Sequence, residues 1–362
     1  MDFSFSEEQQ AVSDLAAQIL GDQSTNEALK AHEATGEPYP AGLWSALADA
    51  GLLGIALPED VGGSGLGFLE ACLTLEQIGR TTAPVPYFAT VMAALAVNQF
   101  GSDEQRQALL PGVADGSRVL TIALTETGTG PLAPMTSADG GNLSGSKLLV
   151  PFGSQATHAV VPARSGEDIG LYLVDLSAAG VTQEALDSTS GLPATRLDLE
   201  GAAGDPLGSG GADDLAWLVE RATTALCTTA IGICEEALRL TAEYTKTREQ
   251  FERPIATFQA VGQRAADAYI DTEAVRLTAW QAAWRLSEGL PSTEQVAIAK
   301  FWCAEGGQRV VHAAQHLHGG MGVDRDYPLH RYFLWAKELE LTLGGATHSL
   351  LGLGQILADE PV

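Results

Sequence analysis

The sequence has little positive charge. Its 362 residues contain 20 Lys and Arg against 46 Asp and Glu, so the formal net charge is −26 at pH 7. Binding to nucleic acid or to an anionic membrane surface needs concentrated cations, and we therefore expect neither as a partner. An anionic ligand must instead be bound by a few well-placed arginines.

Cysteines are few, and none has metal-binding spacing. The four fall in apolar helical stretches and form no CxxC or Cys/His motif: Cys72, Cys227, Cys234 and Cys303. We expect them to be small core residues in a reducing compartment, and we expect no metal site. No uninterrupted apolar run has membrane-spanning length, and the first residues carry acids where a signal peptide needs bases. These features predict a cytoplasmic protein.

The chain is rich in apolar residues arranged with helical or strand periodicity. It is 45% hydrophobic and 18% charged, which is typical of a soluble globular protein with two or three packed units. Apolar residues recur every three or four positions up to about Phe100, which predicts helices. Short apolar or β-branched runs between about Arg118 and Gly201 predict a small antiparallel barrel or sandwich.

The last part of the sequence predicts a four-helix bundle. Long helical patterns run from about Leu215 to Leu357 and are too interrupted for a coiled coil. The predicted domains are an N-terminal α-helical domain at 1–117, a middle β domain at 118–211 and a C-terminal four-helix bundle at 212–362. The stretch "GGSGLG" lacks the flanking strand of a dinucleotide fingerprint, so we interpret it as a structural turn.

Four stretches together resemble one family, the flavin-dependent acyl-CoA dehydrogenases. In chain order they are "GLLGIALPEDVGGSGLGFLEACLTLEQIGR", "ALTETGTGP", "YTKTREQFERPIATFQAV" and "QHLHGGMGVDRDYPLHRYF". The resemblance implies a mainly α fold with a central β domain, and an FAD-dependent α,β-dehydrogenation of an acyl-CoA thioester. A carboxylate removes the α-proton, flavin N5 accepts the β-hydride, and an electron-transfer flavoprotein reoxidises the cofactor.

The same resemblance implies a set of residues that bind FAD, among which Arg248, Phe251 and Gln259 reach across a subunit interface. A guanidinium suits a pyrophosphate because its planar fork of donors matches phosphate oxygens. The implied cofactor-binding residues are Arg248, Gln250, Phe251, Gln259, His316, Gly319, Gly320, Thr125 and Thr347. Two alternatives stay open. In the first, Arg248 is not a ligand and sits in a helix-breaking loop, where it pairs with Glu249 or Glu252. In the second, His316, which stands where the family has Gln, is a packed core histidine.

The catalytic base departs from the common family pattern. The late loop "LGGATHSLL" places Gly345 where many members carry the catalytic Glu. A subgroup instead carries its base on the first helix of the C-terminal bundle, just before an Arg, and Glu220 with the supporting Arg221 matches it. The position lies near the edge of the helix's predicted buried stripe. A surface Glu in an intrahelical ion pair is the alternative.

The flavin-ring motif also departs from the family. Leu149 and Pro151 replace the usual Trp and Thr, and Pro supplies neither a hydroxyl nor an N–H. The family's "G-S-D" becomes Gly130, Pro131 and Leu132. This loss of the ring site, beside a retained ADP site, resembles heteromeric sterol side-chain dehydrogenases in which a second dehydrogenase-like subunit completes each flavin site, expected here as α2β2. There are two alternatives. The first is a self-sufficient homo-oligomer that uses Glu220 as its base, and the second is a flavin-free scaffold protein.

Overall fold

The computed structural model describes residues 4–359 and divides the chain into two compact units. Unit 1 holds the residues up to Ile19, His32–Thr74 and Pro84–Ala222. Unit 2 holds Leu20–Ala31, Leu75–Ala83 and the chain from Thr223. The three-domain boundaries given above stay a prediction. Among residues 4–359, no helix has both the length and the apolar character needed to cross a membrane.

The first third of the chain is helical, as its periodicity predicts. The helices are α1 (Glu7–Gln23), α2 (Asn26–Glu33), α3 (Ala41–Asp49), α4 (Phe68–Thr81), α5 (Tyr87–Phe100) and α6 (Asp103–Ala114). A capping box fixes the start of α6, because Ser102 and Gln105 each accept a hydrogen bond from the other's backbone N–H. The glycines of "GGSGLG" form a turn in which Gly62 and Gly65 have positive φ, which confirms the structural interpretation.

The middle of the chain folds into one mixed sheet. Its strands are β1 (Leu120–Ile122), β2 (Ser137–Asp139), β3 (Asn142–Pro151), β4 (His158–Ser165), β5 (Asp168–Asp175), β6 (Val181–Leu186), β7 (Ala194–Ala203) and β8 (Asp205–Leu207). The order is β6-β7-β3-β2-β4-β5-β8, and β1 also pairs with β4. Most of its strand pairs are antiparallel, as predicted, but β1 and β2 both run parallel to β4, which the sequence did not predict. Strand texture predicts where strands lie, not their direction.

The last third is a helical bundle. Its helices are α7 (Ala212–Thr247), α8 (Gln259–Ser287), α9 (Thr293–Phe301), α10 (Gly307–His318), α11 (Leu329–Leu341) and α12 (Ala346–Asp359). A π-helical turn, Trp302–Gly306, joins α9 to α10. In unit 2, α4 and α7 cross closely, since a Cβ added at Gly232 would lie 1.9 Å from the carbonyl oxygen of Glu76. The helical, β, helical order confirms the predicted fold class.

Candidate functional site

A short hairpin follows α7 and holds much of the predicted cofactor-binding stretch. Strands β9 (Glu249–Gln250) and β10 (Arg253–Pro254) are antiparallel, so that Gln250 pairs with Arg253. The two turn residues, Phe251 and Glu252, both have positive φ, at 53° and 62°. Two-residue hairpin turns of this kind favour Asn-Gly or Gly-Gly, because bulky side chains are strained there. Each such residue costs about 1–3 kcal/mol.

The strained tip exposes a large aromatic ring. Phe251 is 86% exposed, and its one ring contact in the described chain is an edge-on approach to Phe258 with centroids 6.1 Å apart. Little buried apolar area therefore offsets the backbone strain within this chain. Because strained backbone conformations cluster at functional sites, Phe251 is a candidate binding residue.

The two arginines of the hairpin differ in their surroundings. The guanidinium carbon of Arg253 lies 4.3 Å from the ring centroid of Phe258, a cation–π contact. Arg248 is exposed, and the described residues offer it no ion pair. The alternative interpretation, in which Arg248 pairs with Glu249 or Glu252, is therefore absent from the structure. Its guanidinium keeps all its donors for a ligand.

A buried histidine joins the end of α7 to the end of α10. The His318 ring stacks on Tyr244 with centroids 4.4 Å apart, and the backbone N–H of Arg248 donates to the Tyr244 carbonyl at 2.8 Å. His318 Nδ1 lies 2.8 Å from the Ala314 carbonyl oxygen, and Nε2 lies 3.1 Å from the Tyr327 hydroxyl. The carbonyl fixes the proton on Nδ1, so the Tyr327 hydroxyl donates to Nε2. Burial lowers the pKa of His318.

Immediately after His318 the backbone turns sharply, and the two glycines of this turn have open space beside them. Gly319 has φ 58° and ψ −133°, a conformation available almost only to glycine. A Cβ built at Gly320 meets no atom within 4 Å, so an outside group can approach the backbone there. His316 is exposed, and the interpretation of His316 as a packed core histidine is wrong. His318, two residues on, is the packed one.

The other predicted residues of unit 2 lie at helix starts. Gln259 is the first residue of α8 and is exposed, and Thr347 is exposed in the first turn of α12. The Gln250 side-chain amide donates to the Glu249 carbonyl at 2.8 Å, which holds it along the hairpin. The predicted residues of unit 2 thus lie on the hairpin and at the neighbouring helix ends. The hairpin segment carries Arg248 and Phe251, α8 begins with Gln259, and the glycine pair follows α10.

The predicted base and its neighbour lie in unit 1, on the first turns of α7. Glu220 is half-buried, and the predicted buried stripe beside it is confirmed by Leu218 and Ala222. Arg221 stacks on Trp217 at 3.8 Å and contacts the Phe68 ring at 5.9 Å. Burial lowers the pKa of Arg221 to about 10, so the guanidinium stays charged at neutral pH.

The stretch matching the flavin-ring motif is apolar and kinked. Leu149 has φ 49° and is 51% exposed, at an irregularity in the pairing of β3 with β7. The Pro151 carbonyl oxygen accepts a hydrogen bond from the Thr121 hydroxyl at 2.6 Å. The Thr125 carbonyl oxygen accepts from the Leu148 N–H at 2.9 Å, and Leu132 is 53% exposed. The side chains of Leu149 and Pro151 have no hydrogen-bonding group to offer a ring.

Comparison with known proteins gives the family. The model for the N-terminal domain of acyl-CoA dehydrogenases matches residues 6–117, and the model for their C-terminal domain matches residues 211–352. The acyl-CoA dehydrogenase FadE27 of Mycobacterium tuberculosis is 41% identical over the full length of both chains. The chain belongs to the acyl-CoA dehydrogenase family. The members of this family are FAD-dependent oxidoreductases, which confirms the function implied by the four sequence stretches.

Two solved structures of the family are similar over nearly the whole chain. A variant of the steroid ACAD Tcur3481-Tcur3483 is 46% identical and has a TM-score of 0.93, with 98% of each chain covered. The ChsE4-ChsE5 complex of Mycobacterium tuberculosis is 41% identical and has a TM-score of 0.94, with each chain fully covered.

The residues of this chain fit one half of FAD. The unpaired guanidinium of Arg248, the exposed Phe251 ring and the open backbone at Gly320 suit a pyrophosphate and an adenosine. Leu149 and Pro151 do not suit the isoalloxazine ring, because their side chains supply no hydrogen-bond donor and no aromatic cover.

Sequence reasoning missed several residues that shape these surfaces. In unit 2, Phe258 and Arg253 contact each other beside the hairpin, and His318 packs on Tyr244 near the end of α7. In unit 1 the Lys147 ammonium is fully buried and donates to the Glu126 carboxylate, which also accepts from Met135 N–H at 2.6 Å and from the Thr136 hydroxyl at 2.8 Å. Burial alone raises the pKa of Glu126, but the contacts with Lys147 outweigh it and lower that pKa. A lysine at an inward position of β3 was the available signal.

Proposed function

We propose that this chain is the supporting subunit of a heteromeric, FAD-dependent acyl-CoA dehydrogenase that acts on a sterol side-chain acyl-CoA or a similarly bulky thioester. The observation that carries the proposal is the contrast between two surfaces. The hairpin and glycine turn of unit 2 present an exposed Arg248, an exposed Phe251 and open backbone suited to ADP, whereas the ring stretch of unit 1 has an apolar side chain at Leu149, and at Pro151 the carbonyl oxygen is already hydrogen-bonded. A second, dehydrogenase-like subunit supplies the flavin-ring pocket.

In this proposal the chain binds and orients the cofactor of its partner's site. Arg248 donates to the pyrophosphate, Phe251 packs on the adenosine, and Gln259 with the backbone at Gly319 and Gly320 completes the contact. His316 adds a polar edge, since its exposed ring is free to donate or accept. Bound FAD supplies a hydride acceptor at flavin N5. An electron-transfer flavoprotein reoxidises it.

The composition of related assemblies supports a heteromer and a steroid substrate. One similar structure is a steroid ACAD whose name joins two proteins, and the other is a complex of two differently named subunits. The first covers 98% of this chain and the second covers all of it. All four cysteines are buried and none forms a disulfide within residues 4–359, as expected in a reducing compartment such as the cytoplasm.

A self-sufficient homo-oligomer is the second candidate, and the half-buried Glu220 beside the stacked Arg221 favours it. The carboxylate sits where a subgroup of the family carries its base, and Gly345 leaves the other base position empty of a carboxylate. In that case the acyl-CoA α-proton passes to Glu220.

Expression of the chain alone and with a partner distinguishes the two. The partner is the counterpart, from the same organism, of the other subunit of the ChsE4-ChsE5 complex. We expect a colourless chain alone, and a yellow complex with one FAD for each pair of different chains. A yellow homo-oligomer that reduces its flavin with acyl-CoA overturns the proposal in favour of the second candidate.

A further inference from the structure

The hairpin after α7 has an internal support that the cofactor contacts do not explain. Phe258, half-buried just before α8, receives the Arg253 guanidinium on its face at 4.3 Å and the Phe251 ring at 6.1 Å, edge to face with an interplanar angle of 79°. The three side chains form a stack that runs from β10 to the turn. Phe258 is the one member in contact with both others.

The stack lies on the part of the hairpin that is hardest to keep folded. Phe251 and Glu252 occupy left-handed conformations that their side chains disfavour. The hairpin has only two residues in each strand, and a two-stranded hairpin this short is marginal in water. Its base is closed by the Ile255 N–H, which donates to the Arg248 carbonyl at 2.8 Å. The aromatic stack is the side-chain contact that reaches Phe251 at the tip and can hold it in place.

Arg253 is committed to this stack. The Phe258 ring covers one side of the Arg253 guanidinium, so a phosphate cannot approach Arg253 from that side. Arg248 is exposed and keeps its donors. The two arginines of "REQFERP" thus have separate tasks.

We propose that Phe258 and Arg253 are positioning residues that hold Phe251 in its strained, outward conformation before FAD arrives. This inference rests on the proposed function, because it assigns the preorganised ring to the adenosine of the partner's FAD. Preorganisation lowers the ordering cost of binding, so loss of the stack weakens FAD retention even though neither residue contacts FAD.

The test uses Phe258→Leu, which keeps apolar volume and removes both ring contacts, and Phe258→Tyr, which keeps the ring. Phe333→Leu is the matched control, since Phe333 is also half-buried in unit 2 and contacts His312 edge to face at 4.9 Å. Release of FAD from the assembled complex on dilution is followed by the rise in flavin fluorescence. We expect roughly tenfold faster release for Phe258→Leu, and release within about twofold of the parent for Phe258→Tyr and Phe333→Leu.

A second readout needs no FAD. The chain alone is treated briefly with trypsin, and the rate of cleavage after Lys246 or Arg248 is measured by mass spectrometry, because local unfolding exposes this segment. We expect faster cleavage for Phe258→Leu and for Arg253→Gln, with unchanged cleavage elsewhere.

The two readouts separate this inference from the proposed function. Parental cleavage rates in Phe258→Leu, or parental FAD release in a complex that binds FAD, overturn the inference and leave the proposed function standing. A parent complex without FAD overturns the proposed function, and the cleavage rates then still decide whether Phe258 holds the hairpin.

Discussion

Replacing Arg248 by alanine tests the ADP contact at its most charged point. An ionic hydrogen bond to phosphate contributes about 1.5–3 kcal/mol, which corresponds to a loss of roughly 10- to 150-fold in FAD affinity. The same change costs little folding stability, within about 0.5 kcal/mol, because the Arg248 side chain is exposed and has no ion pair in the described structure. Arg248→Lys keeps the charge but loses the planar fork, so we expect an intermediate loss.

The assay is the dissociation constant of FAD from the assembled protein, measured by flavin fluorescence, together with the thermal unfolding of the chain alone. Arg239→Ala is the matched control, because Arg239 is an exposed arginine of α7, the helix that precedes Arg248, and it pairs with Glu236 at 2.6 Å. We expect Arg239→Ala to leave FAD affinity unchanged. Equal affinity in Arg248→Ala and the parent would refute the assignment, and a matching drop in unfolding temperature would show that Arg248 is structural.

Three further predictions follow from the same geometry. Glu220→Gln should leave the rate of anaerobic flavin bleaching by an acyl-CoA nearly unchanged in the complex, whereas a drop of about 10²-fold or more would identify Glu220 as the base. Phe251→Asn should raise the unfolding temperature of the chain, because Asn tolerates positive φ, while it weakens FAD retention; a lower unfolding temperature contradicts the strain. Burial lowers the pKa of His318 in the folded chain. The contribution of the neutral His318 ring to the free energy of unfolding is therefore fully present above about pH 6.5, and it is lost as the pH falls from there towards the folded pKa. His318→Gln should flatten the dependence of unfolding free energy on pH in this range, and the control His316→Gln, at an exposed position, should not. Equal profiles for His318→Gln and the parent would contradict the role of His318.

The sequence predicted the helices and strands because burial on one face leaves a periodic trace. The apolar spacing of α7 marks Leu215, Leu218 and Ala222, and all three are buried. The glycines before α4 signal a turn because positive φ selects them. The parallel pairing of β1 and β2 with β4 left no such trace, since a strand has the same alternation in either direction.

The candidate site was predictable where residue type carries the chemistry, and not where conformation does. Arg248 stands out as a cation in an acidic chain, and its exposure agrees with a ligand-facing side chain. Phe251 and Glu252 are not turn formers, so their left-handed conformations were invisible in the sequence. His316 and His318 lie about 200° apart around one helix; His318 lies on its buried face, beside Val311 and Ala314, and stacks on Tyr244.

The most direct test of the central claim is the FAD content of the purified chain, alone and with its partner subunit. Visible absorbance near the flavin maximum, divided by the protein concentration from amino-acid analysis, gives the number of FAD molecules per chain. We predict none for the chain alone and one FAD for each pair of different chains in the complex. A full complement of FAD in the chain alone would contradict the account, because Leu149 and Pro151 would then have to hold a flavin ring for which they offer no partner.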